Sequence, residues 1–296
     1  MSPISHTYFS QRLRLHYCTW GNPELPTMLL VHGMQDHCRS WDWFAERFVD
    51  RFHVVAPDLR GHGDSQWVRG SIYHHLDYLY DLIALVRQSE YAPLTLVGHS
   101  LGGTIAALFA GSQPQSVARL VSIEGVGLWQ DDERPSLEVP QQIAEWVDNL
   151  HAMSARVPRR YPTLAAAVER MQRMNPGLSA EQAQHLTAHG TNQNEDGTYT
   201  WKFDNYTHAW GPTGVPEPQT RALWENIGAP VLILNASDGY AHRIGQGDTL
   251  RHFRDVELHD IEEAGHWTYH DQLDRVVERV ATFVDRTPTA ANPVAT

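Results

Sequence analysis

One six-residue segment, Gly98-His99-Ser100-Leu101-Gly102-Gly103, constrains the fold of this chain more than any other. The apolar run over residues 94–97 predicts a buried strand before it, and the small residues over 104–110 predict a closely packed helix after it. A G-x-S-x-G segment between a strand and a helix is typical of a sharp turn that lifts the serine hydroxyl above the sheet edge. This context favours such a turn over a glycine turn that merely contains a serine.

Strands and helices alternate along most of the chain. Apolar runs predict strands over 27–31, 52–56, 94–97, 117–123, 231–234 and 256–258. Helices are predicted over 41–48, 73–88, 104–110, 243–253 and 273–284, and an antiparallel hairpin over 8–18 leads the chain. This alternation predicts an α/β fold with a mostly parallel central sheet and helices on both faces.

The alternation stops between residues 126 and 220, where helices are predicted over 141–151, 163–174 and 179–189 without a convincing buried strand. We therefore predict an α/β core of residues 1–125 and 221–296, interrupted by a helical cap over 126–220. Because ligands bind beyond the carboxyl ends of the strands in such sheets, a cap inserted after Ile123 would cover the site. Most tryptophans of the insertion are expected in the cap core, with one or two lining an apolar pocket: Trp129, Trp146, Trp201 and Trp210.

The composition of this chain limits the classes of partner that it can bind. The formal net charge of −12 argues against nucleic acid and anionic membrane surfaces as main partners. No apolar run reaches the roughly 20 residues of a membrane helix, and no signal-peptide pattern is seen at the N-terminus.

Cys18 and Cys38 lack metal-ligand spacing and are too few for a disulfide scaffold. We expect two reduced thiols in a cytoplasmic protein, and a homo-oligomer is compatible with these features.

A nucleophilic serine needs a base, and the base needs an acid that orients it. His266 follows the last predicted strand in Gly265-His266-Trp267, on the same side of the sheet as Ser100. Together with Ser100, this position favours His266 as the base over a surface loop histidine. The remaining histidines near these motifs, including His62 and His99, are expected to be structural, as is Asp58.

Two carboxylates are candidates for the acid. Asp238 follows the strand predicted over 231–234, and Glu124 ends the strand predicted over 117–123. Both lie between Ser100 and His266 in the chain, as the order serine, acid, histidine requires, so order does not separate them. We prefer Asp238 because its loop is long enough to reach the far nitrogen of the histidine. Glu124 remains the alternative, with a cap-anchoring role as its other interpretation.

Attack of a serine on a carbonyl also needs donors for the oxyanion. One candidate is the backbone N–H of Leu101, the residue after the nucleophile. The other is the backbone N–H of Met34, in the loop after the strand over 27–31, where Gly33 allows a close approach.

Together these motifs resemble those of the α/β-hydrolase superfamily. The resemblance covers nearly the whole chain outside the insertion and the C-terminal tail, and it rests on His32-Gly33, Asp58-Leu59-Arg60-Gly61-His62-Gly63-Asp64-Ser65, Gly98-His99-Ser100-Leu101-Gly102-Gly103, Asp238 and Gly265-His266. It implies the α/β-hydrolase fold and supports Asp238 as the acid. Three short motifs of the insertion are similar to those of serine hydrolase-like proteins: Tyr161-Pro162, Arg173-Met174-Asn175-Pro176-Gly177-Leu178-Ser179 and His189-Gly190-Thr191. Superfamily members that act on epoxides or haloalkanes carry an aspartate where this chain has Ser100, so those activities are not expected.

The residues and the resemblance predict a serine hydrolase without cofactor or metal. The expected reaction is that of a carboxylesterase, with a small to medium, partly apolar ester that acylates Ser100 and a water activated by His266 that removes the acyl group. A C–C bond hydrolase or a lactonase would use the same residues. A ligand-binding protein that keeps them without catalysis is the alternative from a different class, and turnover of a short p-nitrophenyl ester separates it from the enzymes.

Overall fold

The computed structural model describes residues 2–70, 72–125, 127, 138–209, 211, 214–240 and 243–286. The predictions for Trp129 and Trp210 lie outside these residues. The described strands are β1 (Ile4–Ser10), β2 (Leu13–Trp20), β3 (Thr27–Val31), β4 (His53–Pro57), β5 (Leu94–His99), β6 (Val117–Ile123), β7 (Thr191–Gln193), β8 (Tyr199–Trp201), β9 (Val231–Ala236) and β10 (Val256–Ile261). The described α-helices are α1 (Asp42–Glu46), α2 (His75–Gln88), α3 (Leu101–Ser112), α4 (Val139–Ser154), α5 (Leu164–Met174), α6 (Ala180–Gly190), α7 (Glu217–Glu225), α8 (Thr268–Asp271) and α9 (Leu273–Asp285).

A single sheet contains eight of these strands, in the order β1-β2-β4-β3-β5-β6-β9-β10. The leading hairpin β1–β2 and the pair β2–β4 are antiparallel, and the neighbours from β4 to β10 run parallel. The predicted α/β fold and its mostly parallel sheet are thereby confirmed. Strand β5 lies near the middle of the sheet, so the segment around Ser100 is surrounded by strand ends on both sides.

The apolar runs of the sequence are continuous because both faces of the sheet are buried. Along β3, Leu29 and Val31 face one hydrophobic cluster, which also contains residues of α2, α3 and α7. Met28 and Leu30 face the other cluster, which contains residues of α1 and α9. Successive side chains of a strand point to opposite faces, so one short run supplies both cores.

The segment after β9 is less helical than predicted. Instead of a helix over 243–253, the structure has a single 3-10 turn at Thr249–His252. Gly245 and Gly247 have φ values of 97° and 55°, which an α-helix does not accommodate. Two glycines at these positions therefore delay the helical turn until the chain has passed them.

The insertion contains the predicted helices as α4, α5 and α6, and it also contains a short hairpin, β7–β8, that the pattern does not predict. Helix α7 crosses the predicted boundary at residue 221 and packs on the core, where a Cβ on Gly111 of α3 would lie 2.2 Å from the Leu223 carbonyl oxygen. Trp224 of α7 is buried in the same cluster as α3. The end of α7 therefore packs with the core elements.

The insertion is fastened to the core above the carboxyl ends of the strands. His37, in the loop after β3, donates from Nε2–H to the Leu186 carbonyl of α6 at 2.9 Å, because a carbonyl oxygen only accepts. Gln182 of α6 donates through its amide to the His270 carbonyl at 2.9 Å. A small hydrophobic cluster of Leu178, Ala183 and Leu186, the cap cluster, packs against Trp267 of the core.

None of the helices in the part of the chain that the structure describes has both the length and the apolar character needed to cross a membrane.

Candidate active site

Ser100 occupies the junction between β5 and α3. Its φ of 53° and ψ of −119° lie in a region that residues with a side chain rarely adopt, and such strain is concentrated at functional sites. Two close approaches explain the glycines around it. A Cβ on Gly98 would lie 2.3 Å from the Gly102 carbonyl oxygen, and a Cβ on Gly102 would lie 2.1 Å from that of Val31. The local sequence therefore permits a turn that a chain without these glycines could not make.

His266 lies in the loop between β10 and α8, and its ring reaches the hydroxyl of Ser100. The distance between His266 Nε2 and Ser100 Oγ is 2.9 Å. On the other side of the ring, Nδ1 lies 3.3 Å from Oε2 of Glu124. A carboxylate oxygen only accepts, so the Nδ1 proton is assigned to the bond with Glu124 and Nε2 is left to accept the Ser100 hydroxyl proton.

The carboxylate beside His266 is that of Glu124, which corrects the preference for Asp238. Glu124 follows β6 directly, is fully buried and points its carboxylate at His266. Asp238 is exposed in the loop after β9, where its backbone N–H donates to the Ala264 carbonyl at 3.0 Å. The structure brings Ser100, His266 and Glu124 together and leaves the Asp238 carboxylate outside this group.

Sheet order gives the physical reason for this correction. Strand β6 is the neighbour of β5, whereas β9 lies one strand farther from Ser100. The loop after β9 does approach His266, but it does so with the ring of Tyr240. At Gly239 its backbone passes close to the glutamate, since a Cβ there would lie 2.1 Å from Oε2 of Glu124.

Sequence reasoning missed the groups that hold Glu124 in place. Its Oε1 accepts a hydrogen bond of 2.6 Å from the Ala236 backbone N–H and lies 3.4 Å from Nη1 of the buried Arg243. Its Oε2 accepts a weaker bond of 3.3 Å from the Tyr240 backbone N–H. A buried carboxylate requires such partners, since an unpaired buried charge is strongly unfavourable. The sequence signal for this partner was Arg243, shortly after β9. The prediction placed it in a helix over 243–253 and gave it no role near Ser100.

Two aromatic rings hold the His266 loop. Nε2–H of the buried His99 donates to the His266 backbone carbonyl at 2.7 Å, so the residue before the serine supports the loop of the histidine. Burial, and then the neighbouring His266, lower the pKa of His99, which is therefore neutral. The Tyr240 ring packs on the His266 ring with centroids 4.1 Å apart. His99 is structural, as predicted, and it acts directly on the position of the base.

The candidate oxyanion donors lie on either side of Ser100. Leu101 is the first residue of α3, so its N–H is among the helix N–H groups without an intrahelical partner. Met34 follows Gly33, and a Cβ on Gly33 would lie 3.2 Å from the Ser100 Cβ. His32 holds this loop by donating from Nδ1 to the Gly33 carbonyl at 2.6 Å. The backbone after β3 therefore passes close enough to Ser100 to supply a second donor.

The insertion covers a small cavity next to these groups. Its walls combine apolar side chains of the insertion with residues of the loop after β3 and with Trp267, the neighbour of His266: Gln35, Asp36, His37, Met171, Leu186, Trp201, Phe203 and Trp267 among them. Trp201 thus lines a cavity, as one of the four tryptophans was expected to do. Trp146 lines a separate, wider cleft of about 1090 Å³ beside α4.

Asp58, interpreted from sequence as structural, ties three segments together. Its carboxylate accepts from the backbone N–H of Cys38 at 2.7 Å, from that of Asp64 at 2.8 Å, and from Nδ1 of His16 at 2.7 Å. A Cβ on Gly63 would lie 2.1 Å from the Asp58 Cγ, which explains the glycine in this turn. Asp58 therefore organises the turn after β4 and takes no part in the group around Ser100.

Comparisons of the sequence with known proteins point to a single family. A model of the "Alpha/beta hydrolase family" matches residues 28–279. A serine hydrolase-like protein of Dictyostelium discoideum is 23% identical over 228 residues, which cover 73% of this chain and 61% of that protein. An sn-1-specific diacylglycerol lipase of Mus musculus is 26% identical over 270 residues, which cover 89% of this chain and 82% of the lipase.

Two further comparisons define how far the likeness extends. An uncharacterised protein of Mycobacterium tuberculosis is 37% identical over 108 residues, and the matched segment spans only 31% of that protein and 36% of this chain. Among solved structures, the thioesterase domain from the curacin biosynthetic pathway superposes with a TM-score of 0.82 at 22% identity, covering 95% of this chain and 100% of that domain. At this identity the superposition concerns the fold.

Proposed function

The chain belongs to the alpha/beta hydrolase family, and from that premise we propose that it is a serine hydrolase that cleaves a small to medium, partly apolar carboxylic ester. One observation carries the proposal: the Ser100 hydroxyl, on a strained turn, lies 2.9 Å from a histidine nitrogen whose ring is oriented by a buried carboxylate. This arrangement activates a serine for attack on a carbonyl. An ester substrate is also consistent with the name of the mouse relative.

The proposed reaction begins with attack of Ser100 Oγ on the ester carbonyl carbon while His266 Nε2 takes the hydroxyl proton. The tetrahedral oxyanion accepts hydrogen bonds from the N–H groups of Leu101 and Met34. Glu124 keeps the imidazole in the productive tautomer and stabilises the imidazolium. When the oxyanion collapses, His266 returns the proton to the departing alcohol and the acyl group remains on Ser100.

The second half of the reaction removes the acyl group. A water molecule gives a proton to His266 and attacks the acyl carbonyl, and the same two N–H groups stabilise the new oxyanion. Collapse of this intermediate breaks the bond to Ser100 Oγ, which takes the proton from His266, and releases the carboxylic acid.

The proposal is tested with a short p-nitrophenyl ester and a fluorophosphonate probe. Wild-type protein should hydrolyse the ester and be labelled, whereas Ser100→Ala should lose up to ~10⁶-fold in kcat and all labelling. Ser237→Ala is the matched control, because this exposed serine lies in the loop after β9 and should leave both signals intact. Labelling that persists on the folded Ser100→Ala protein, or a wild type that binds the ester without turning it over, would contradict the assignment.

A further inference from the structure

A second cluster of reactive side chains lies apart from Ser100, His266 and Glu124. His16 and Cys18 are alternate residues of β2, so both project from the same face of the strand. Cys38 begins the 3-10 turn at Cys38–Trp41, and Asp58 follows β4. All four residues are buried, with exposures of 6% for His16, 4% for Cys18 and 1% for both Cys38 and Asp58. The proposed hydrolysis uses none of them.

The two sulfur atoms each lie near a different ring nitrogen of His16. Cys18 Sγ is 3.9 Å from Nε2 and Cys38 Sγ is 3.9 Å from Nδ1, and the two sulfurs are within 4.8 Å of each other. Asp58 accepts from Nδ1 of His16 at 2.7 Å and from the Cys38 backbone N–H at 2.7 Å. One carboxylate therefore holds both the imidazole and the segment that carries Cys38.

The charges of the cluster make the two thiols unequal. Burial alone would lower the pKa of His16, but the hydrogen bond with Asp58 outweighs it and raises that pKa to about 10. The hydrogen bond from the Cys38 thiol lowers the pKa of Cys18. The hydrogen bond from His16 acts in the same direction, and the two together outweigh burial, which alone would raise that pKa. Burial, and then the contact with Cys18, raise the pKa of Cys38. Cys18 is thus the more readily ionised of the two thiols.

We propose that Cys18 and Cys38 form a dithiol that a hydroperoxide oxidises to an intramolecular disulfide, with Cys18 as the attacking residue and Cys38 as the resolving one. The Cys18 thiolate attacks one peroxide oxygen, the O–O bond breaks, and Cys18 becomes a sulfenic acid while hydroxide, or an alkoxide from an organic hydroperoxide, leaves. The Cys38 sulfur then attacks the Cys18 sulfur, the S–O bond breaks, and the departing hydroxide takes the Cys38 proton as water.

The cluster lies one strand away from the edge of the sheet. Ser5 is exposed on β1, the edge strand of the sheet, and pairs with Cys18 in the β1–β2 register. Its hydroxyl lies 2.7 Å from Nε2 of His16. An exposed side chain therefore contacts the imidazole beside the two sulfurs, and we expect peroxide to enter from this edge of the sheet.

The experiment uses the fact that the chain has no cysteines besides these two. The full-length reduced protein is treated with hydrogen peroxide, then denatured and alkylated, and its intact mass is measured. The proposal predicts a monomer that takes up no alkyl group and takes up two after treatment with dithiothreitol. A folded protein that keeps both thiols under peroxide, or that forms only intermolecular disulfides, would overturn it.

Single serine variants test the assigned roles. In Cys38→Ser, oxidation should stop at the Cys18 sulfenic acid, which dimedone traps, whereas Cys18→Ser should leave Cys38 unlabelled. His16→Gln should slow the oxidation of Cys18 by roughly tenfold or more, because it removes the cation beside the thiolate. Circular dichroism and ester turnover verify that each variant is folded. Equal labelling of the two serine variants would show that no attacking and resolving order exists.

Discussion

At the scale of single residues, the arrangement around His266 depends on a carboxylate that is shielded completely from solvent. Glu124 is fully buried, and it is paired with His266, with the Ala236 N–H and with Arg243. These partners compensate the charge, and they also fix the carboxylate in one orientation. Removing its charge should therefore affect the transition state, in which the imidazole becomes positive, more than substrate binding.

Glu124→Gln should lower kcat by roughly 10⁴, the scale observed for the corresponding aspartate-to-asparagine change in a serine protease. The matched variant Asp238→Asn should change kcat little, because the Asp238 side chain is exposed and makes no contact with His266 among the contacts that the structure describes. The measurement is steady-state turnover of a p-nitrophenyl ester. Similar losses in both variants would contradict the assignment of Glu124, and a large loss in Asp238→Asn alone would restore the original preference.

The reason why sequence reasoning preferred Asp238 is visible at the same scale. Both candidates follow a strand that ends on the correct side of the sheet, and chain order does not separate them. What separates them is that Gly239 turns its backbone toward the Glu124 carboxylate and that Asp238 is left in solvent. Neither feature is encoded in a local pattern.

At the scale of secondary-structure elements, Asp58 connects β2, the turn after β4 and the 3-10 turn that begins at Cys38. Burial alone would raise the pKa of Asp58, but the hydrogen bond and charge of His16 hold it far below its usual value. A group with a depressed pKa stabilises the folded state above its unfolded pKa, which is 3.8 here. That contribution is lost as the pH falls below this value toward the pKa of the folded state.

Asp58→Asn should therefore reduce the free energy of unfolding by about 3 kcal/mol or more at pH 5 to 6, the scale for breaking a buried ion pair. The difference from wild type should shrink below roughly pH 4, because Asp58 of the unfolded wild-type chain then takes up a proton that the folded protein does not bind. Guanidinium unfolding curves at several pH values give the comparison. Asp64→Asn is the control from the same turn, since the Asp64 side chain is exposed and its ion pair with Lys202 should contribute less than a fully buried pair. A difference for Asp58→Asn that stays constant down to pH 2.5 would refute this account.

At the scale of the whole molecule, the insertion is attached to the core through α6 and through the segment after β8, where Asp204 bonds to Gly61 and Tyr73. The cap cluster of Leu178, Ala183 and Leu186 meets Trp267, the neighbour of His266. The cluster is small, so the insertion is expected to open at a lower free energy than the sheet. Leu186 also lines the small cavity between the insertion and the loop after β3, so its side chain contributes to both contacts.

Leu186→Ala should weaken the attachment of the insertion by about 2 to 5 kcal/mol, the usual range for removing a buried leucine side chain. Amide hydrogen exchange should accelerate in α5 and α6 and remain unchanged in β3, β5 and β6. Ile143→Ala provides the control, because Ile143 of α4 is 44% exposed and its removal should leave exchange in α6 unaffected. Equal acceleration across the sheet would show that insertion and core unfold as one unit.

Local sequence patterns determined the architecture of this protein and most of the residues at the site. Continuous apolar runs marked the buried parallel strands, because both faces of such a sheet are covered, and the glycines around Ser100 marked a turn that only glycines permit. These features depend on neighbours in the chain. Ser100 and His266 could be predicted for the same reason, since each follows the end of a strand that the apolar pattern identifies.

Only the tertiary structure decided which carboxylate faces His266, where the chain after β9 becomes helical, and that two distant cysteines meet at one histidine. Glu124 faces His266 because β6 lies next to β5, and strand order in the sheet depends on long-range packing. Cys18 and Cys38 approach each other because the 3-10 turn at Cys38 packs against β2. Such contacts depend on how separate elements pack in space, which is not a property of any single stretch of the chain.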